Sequence, residues 1–161
     1  MILIGVAISL MTATLVIQSA GMAVLIVWGR AHFARNNLHK MDPFRGTLLM
    51  VRITTVMVCL HFVEICLWGG FYRWRCFSSW TSALYFSAAN YSTVGCGDVL
   101  LPTSWRLLGP IESMAGVLMC GLSASFLFAV VTFLIKQEER YELKNSDRLS
   151  NSPRTRLASD D

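Results

Sequence analysis

The run Thr93-Val94-Gly95-Cys96-Gly97-Asp98 is the part of this chain best equipped for chemistry. Glycines at alternate positions permit an unusual extended backbone, because Gly adopts positive φ at little cost. Such a backbone can offer carbonyl oxygens in place of the water shell of a dehydrated cation. One chain supplies one strand of this kind, which cannot enclose an ion. The chemistry therefore requires several copies around an axis.

Elements of a particular sort must hold that loop. The chain has 161 residues, 54% of them hydrophobic and 15% charged, with a mean hydropathy of +0.51. That balance is a membrane protein's and not a soluble domain's. Three apolar stretches, Ile2–Trp28, Thr47–Gly70 and Ile111–Ile135, are each long enough to cross a hydrocarbon core that needs about 20 helical residues. A cleaved signal peptide is the alternative for the first. It requires a basic leader and an apolar core of about 7–15 residues. Nothing basic precedes Ile2 and the run is far longer, so a retained span is the better reading.

Between the second and third spans the chain must enter the membrane and return. Ser79–Tyr91 is apolar and aromatic, with Ser78 or Ser79 available as an N-cap. A helix of this length covers roughly 20 Å, enough to enter the membrane but not to cross it. Its C-terminal end would turn the negative pole of the helix dipole toward a cation. Irregular backbone at that depth is tolerated only where protein buries it or water reaches it.

Charge sets the orientation. The segment 29–46 carries Arg30, Arg35, Lys40 and Arg45 against Asp42 alone, and Lys136, Arg140 and Lys144 follow the third span. By the positive-inside rule both regions are cytoplasmic, which places the N-terminus outside and opens the loop 92–98 to the outside. The net charge of +4 reads as topology, not as nucleic-acid binding. The segment 136–161 balances six basic against six acidic residues; its first part extends the third helix by a few turns, and disorder is expected beyond.

The residues Ala83 through about Val131 resemble the pore module of potassium channels. Thr93–Gly97 differs from that family's TVGYG signature at one position, and Ser92, Thr93 and Asp98 match the hydroxyl pair and the acid that bracket it. Tyr85-Phe86 stands where the family carries aromatics behind the filter, and Gly116 and Gly121 fall in a segment like its inner helix, where glycines let the helix bend or pack closely. The stretches YFSAANYSTVGCGD, LPTSWRLLGPIE and FAVV, with His61, Glu64 and Trp68 before them, resemble small bacterial ion-channel proteins with one pore loop per chain.

The resemblance implies an all-α membrane protein with three transmembrane helices, a re-entrant pore helix and a homotetrameric pore in a bacterial inner membrane. Its parts would be an N-terminal span 1–28, a cytoplasmic loop 29–46, an outer helix 47–70, a pore helix 79–91, a filter 92–98, an inner helix 110–135 and a cytoplasmic tail 136–161. Passive potassium flow would run past the Thr93 side-chain oxygen and the carbonyls of Val94, Gly95, Cys96 and Gly97. Asp98, Ser92, Tyr85, Phe86, Glu64 and His61 would support the filter. No enzymatic activity, cofactor, small-molecule substrate or nucleic-acid partner is implied; the lipid bilayer is the partner.

Cys96 departs from the pattern, because an aromatic at that position wedges the filter against its surroundings. Without the wedge, carbonyl coordination survives while discrimination of potassium from sodium weakens. A weakly selective cation channel is thus a second reading, and a non-conducting membrane subunit or sensor that keeps the fold is a third. Cys96 itself is expected to be a small packing residue. Cys59, Cys66 and Cys120 are expected to pack within spans, Cys76 lacks an evident disulfide partner, and no CxxC or zinc pattern is present. His61 and Glu64, three apart, share a helix face. Glu64 either supports the pore helix or Asp98, because Ala89 stands where some members of the family carry a supporting Glu, or only tethers helices through His61.

Overall fold

A computed structural model describes residues 1–35 and 43–150. Four helices follow in order: α1 (Ile2–Arg35), α2 (Pro43–Arg75), α3 (Trp80–Tyr91) and α4 (Leu108–Ser150), with a single 3₁₀ turn at Thr103–Trp105 before α4. There is no strand among the described residues. Three of the helices are long and apolar enough to cross a membrane, over Ile2–Ala31, Gly46–Arg75 and Thr103–Leu143. The chain is a multi-pass membrane protein.

Helix ends and apolar limits do not coincide. α1 continues past Trp28 to Arg35, and α2 begins at Pro43, so both ends of the segment 29–46 are helical rather than loop. Hydropathy marks where lipid contact stops, whereas the backbone ladder continues through good helix formers such as Ala and Arg. Proline at the first helical position costs nothing, since its missing N–H has no partner there. α4 likewise runs on through Lys136–Ser150 as one helix. Lys40 and the tail beyond Ser150 lie outside the described residues.

α3 is short because its sequence stops it. Ser79 precedes it in extended conformation, and after Tyr91 the backbone turns left-handed at Thr93. Its 12 residues rise about 18 Å. It packs against α2 on one side and α4 on the other. Behind it sits an apolar core of Trp68, Tyr72, Ala83, Phe86, Leu101, Leu108 and Ala115, completed by Ala7 and Leu10 from α1. Aromatic edges lock this layer: the Tyr72 and Phe86 rings meet at 90° with centroids 5.1 Å apart, and Phe77 lies 5.7 Å from Phe86. A second core, around Leu25, Leu49, Ile53 and Met57, joins α1 and α2 toward the other end of the bundle.

Candidate functional site

The loop after α3 has a backbone few sequences adopt. φ is positive at Thr93 (64°), Gly95 (53°) and Gly97 (76°), with Val94 and Cys96 between them on the ordinary side. Alternating handedness turns successive N–H groups to one side of the strand, which leaves the carbonyls on the other. The glycines take this geometry freely. Thr93 does not: it is β-branched, and it is the only non-glycine residue with positive φ among the described residues. Such a position costs about 1–3 kcal/mol and persists only where its surroundings enforce it.

The surroundings are explicit. The Thr93 N–H donates to the Asn90 carbonyl at 2.8 Å and the Gly95 N–H to the Ala89 carbonyl at 3.0 Å. Ser92 caps Ala88 twice, through its N–H at 3.0 Å and its hydroxyl at 2.7 Å. From α4, the Ser113 hydroxyl reaches the Asn90 carbonyl at 2.8 Å. The last carbonyls of α3, which a helix end leaves without partners, thereby become the fastening of the loop. Gly116 of α4 allows the closest approach. A Cβ there would stand 2.0 Å from the Tyr91 carbonyl oxygen, so no larger residue fits without moving α4. Gly121 has nothing within 4 Å of such a Cβ, and α4 passes through both positions as continuous helix.

Every residue from Ser92 to Asp98 is exposed on the single chain. Cys96 is among them, an exposed thiol within one chain. A cavity of about 200 Å³ opens beside it, lined by Tyr85, Phe86, Ala89, Asn90, Cys96 and Asp98 among others. Tyr85, Cys96 and Asp98 face this one space together. Tyr85 is half exposed, while Phe86 is buried in the aromatic layer. All five cysteines are free thiols. Cys59, Cys66 and Cys120 point out of the single chain rather than into it, because in a thin bundle the outer faces are apolar as well as the core. Burial pushes the Cys76 thiol above its ordinary range, an effect that the Arg75 charge partly opposes.

Of the expected roles of Glu64, the contact made is the one to the short helix α3, not to Asp98. Glu64 is fully buried, and its Oε2 accepts a hydrogen bond from the Tyr91 hydroxyl at the end of α3. His61 Nδ1 lies 2.8 Å from that same hydroxyl and 3.4 Å from Glu64 Oε2. Support thus reaches the residue that immediately precedes the loop, not the residue that closes it.

Sequence reasoning missed a second buried acid. Glu112 of α4 is fully buried, takes a hydrogen bond from the Tyr72 hydroxyl at 2.9 Å, and lies 2.5 Å from the Ser87 hydroxyl of α3. Ser87 also reaches the Ile65 carbonyl of α2 at 2.9 Å. It missed Gln18 and Ser123 too, which meet across α1 and α4 at 2.7 Å. The signal was present, since a polar residue within an apolar span generally faces the bundle interior.

Residues 54–133 match a family model described as ion channel. The match takes in most of α2, all of α3, the loop and α4 as far as Phe133, and leaves out α1. Comparison with curated proteins and with solved structures gave no match.

Proposed function

Since residues 54–133 form a domain of the ion channel family, we propose that four copies of this chain build a potassium-conducting pore with Thr93–Gly97 at its axis. The observation that carries this reading is the alternation of φ at Thr93, Gly95 and Gly97. It is the backbone pattern that turns consecutive carbonyls toward one line of ions. The Thr93 hydroxyl and the carbonyls of Val94, Gly95, Cys96 and Gly97 are the ligands in this reading. Flow is passive, each ion moving between stacked sites.

Two further features support it. α3 ends at the loop, so its dipole adds negative potential where a cation would sit. The apolar window of α4 is the least buried of the three spans, as expected of a helix that awaits neighbours. Ser92, Asp98, Tyr85 and Phe86 support the loop from its flanks, and His61 with Glu64 from behind Tyr91. The basic segment and the tail lie in the cytoplasm, and the loop opens outward.

The test is flux through the purified protein in potassium-loaded liposomes diluted into a potassium-poor buffer. Potassium efflux above protein-free vesicles is expected, and a Gly95→Ala variant that assembles should lose it. Vesicles as tight as controls would overturn the reading. One observation favours weak selectivity as the second reading: the cavity beside Cys96 leaves the loop without a wedge from its own chain.

A further inference from the structure

A chain of hydrogen bonds crosses the bundle behind the loop and touches all four helices. Gln18 of α1 donates through Nε2 to the Ser123 hydroxyl of α4 at 2.7 Å. That hydroxyl lies 3.1 Å from His61 Nε2 of α2. His61 Nδ1 lies 2.8 Å from the Tyr91 hydroxyl of α3, which in turn donates to Glu64 Oε2. Gln18 and Glu64 are fully buried, and Tyr91 and Ser123 nearly so, whereas the His61 side chain keeps 19% of its surface open. His61 is the member of the cluster with the most open surface within one chain.

Proton bookkeeping gives the cluster two states. Where the Tyr91 hydroxyl donates to Glu64, His61 Nδ1 is left to donate to the phenol oxygen. In neutral imidazole Nε2 is then an acceptor, and Ser123 donates to it while accepting from Gln18. A proton added at Nε2 needs one rotation of the Ser123 hydroxyl, after which Ser123 accepts from both neighbours. Every bond survives in both states, but the net charge of the cluster rises by one.

The titratable groups around His61 are few. Glu64 lies on its own helix, Tyr91 on α3, and Cys120 and Glu112 on α4 reach Tyr91 electrostatically. α1 brings the Gln18 amide and no titratable side chain from Ile2 to Trp28. Tyr91 links the charge to the loop, since its carbonyl is pressed against Gly116 and the left-handed Thr93 follows two residues on.

We propose that His61, Glu64, Tyr91 and Ser123 form a protonation switch behind the filter, by which acid reduces the cation current. The inference rests on the channel reading above. In a tetramer, protonation adds one positive charge per subunit behind the loop, and cation occupancy falls.

The full-length protein in planar bilayers, in symmetric potassium chloride, tests this as pH is stepped from about 8 to about 5. Wild-type current should fall by about fivefold or more, the low end of a coupling between two sites. His61→Gln, which keeps polar atoms but cannot charge, should conduct with a flat pH profile. Ser123→Ala removes a neutral hydrogen bond from one state and a stronger, charge-assisted one from the protonated state, so it should be less inhibited at any given acidic pH. If His61→Gln fails to assemble, the Ser123→Ala profile decides alone, and a wild-type profile there overturns the switch. A conducting wild type indifferent to pH overturns it, as does a His61→Gln channel with wild-type pH dependence. Absence of current at every pH overturns the channel reading and the switch together.

Discussion

At the scale of single residues, Cys96 and Gly116 carry the sharpest consequences. Cys96 is exposed beside a cavity of about 200 Å³ that Tyr85 also lines. A tyrosine at 96 has room to enter that space and brace the loop. A tenfold change in selectivity corresponds to about 1.4 kcal/mol, the order of one aromatic contact. Cys96→Tyr should therefore raise the potassium-to-sodium permeability ratio by about tenfold, read from reversal potentials under bi-ionic conditions. A wild type that is already strongly selective, with a variant that carries no current, would show that neighbouring subunits fill the space. Gly116 is constrained in the opposite sense, because a methyl group there meets the Tyr91 carbonyl oxygen at 2.0 Å. Gly116→Ala should destabilise the folded protein by about 1–3 kcal/mol, the usual penalty of overpacking. Thermal unfolding in detergent would register it, with Gly121→Ala as the near-neutral control.

At the scale of elements, what could be read from sequence was what depends on local pattern. Three apolar runs announced three spans, and Ser79 and the glycines at 95 and 97 marked the ends of the short helix and the turn of the loop. Helix limits were less legible, because Gly29–Arg35 and Pro43–Gly46 have no apolar pattern and are helical through propensity and continuation of the ladder. Of the polar contacts, the local pair of His61 and Glu64 was legible from its spacing, and the long-range ones were not. Tyr72 with Glu112, and Gln18 with Ser123, join residues 40 and 105 positions apart, and only packing decides such pairs. Orientation belongs to this scale too. In a background without native thiols, a cysteine at Ser78 should react with a membrane-impermeant reagent added outside, while cysteines at Lys40 and Lys144 should be protected. Outside labelling at Lys40 would invert the arrangement and turn the loop to the cytoplasm.

At the scale of the whole molecule, a single chain leaves its most distinctive surface uncovered. The loop 92–98 is exposed along its length, and Val117, Leu118 and Phe128 of α4 are exposed as well. Both are explained if copies of the chain meet there, since one strand of carbonyls cannot replace a hydration shell. Native mass measurement should find four copies of the 18.0 kDa chain, and a monomer or dimer as the sole species would exclude a shared axis. The most direct test locates the ions themselves. Crystals of the assembled protein grown with rubidium or thallium should show anomalous density on the fourfold axis, in stacked sites level with Thr93–Gly97. An assembly whose axis is free of such density, or whose Val94–Gly97 carbonyls turn away from it, would contradict the proposal that this loop conducts cations.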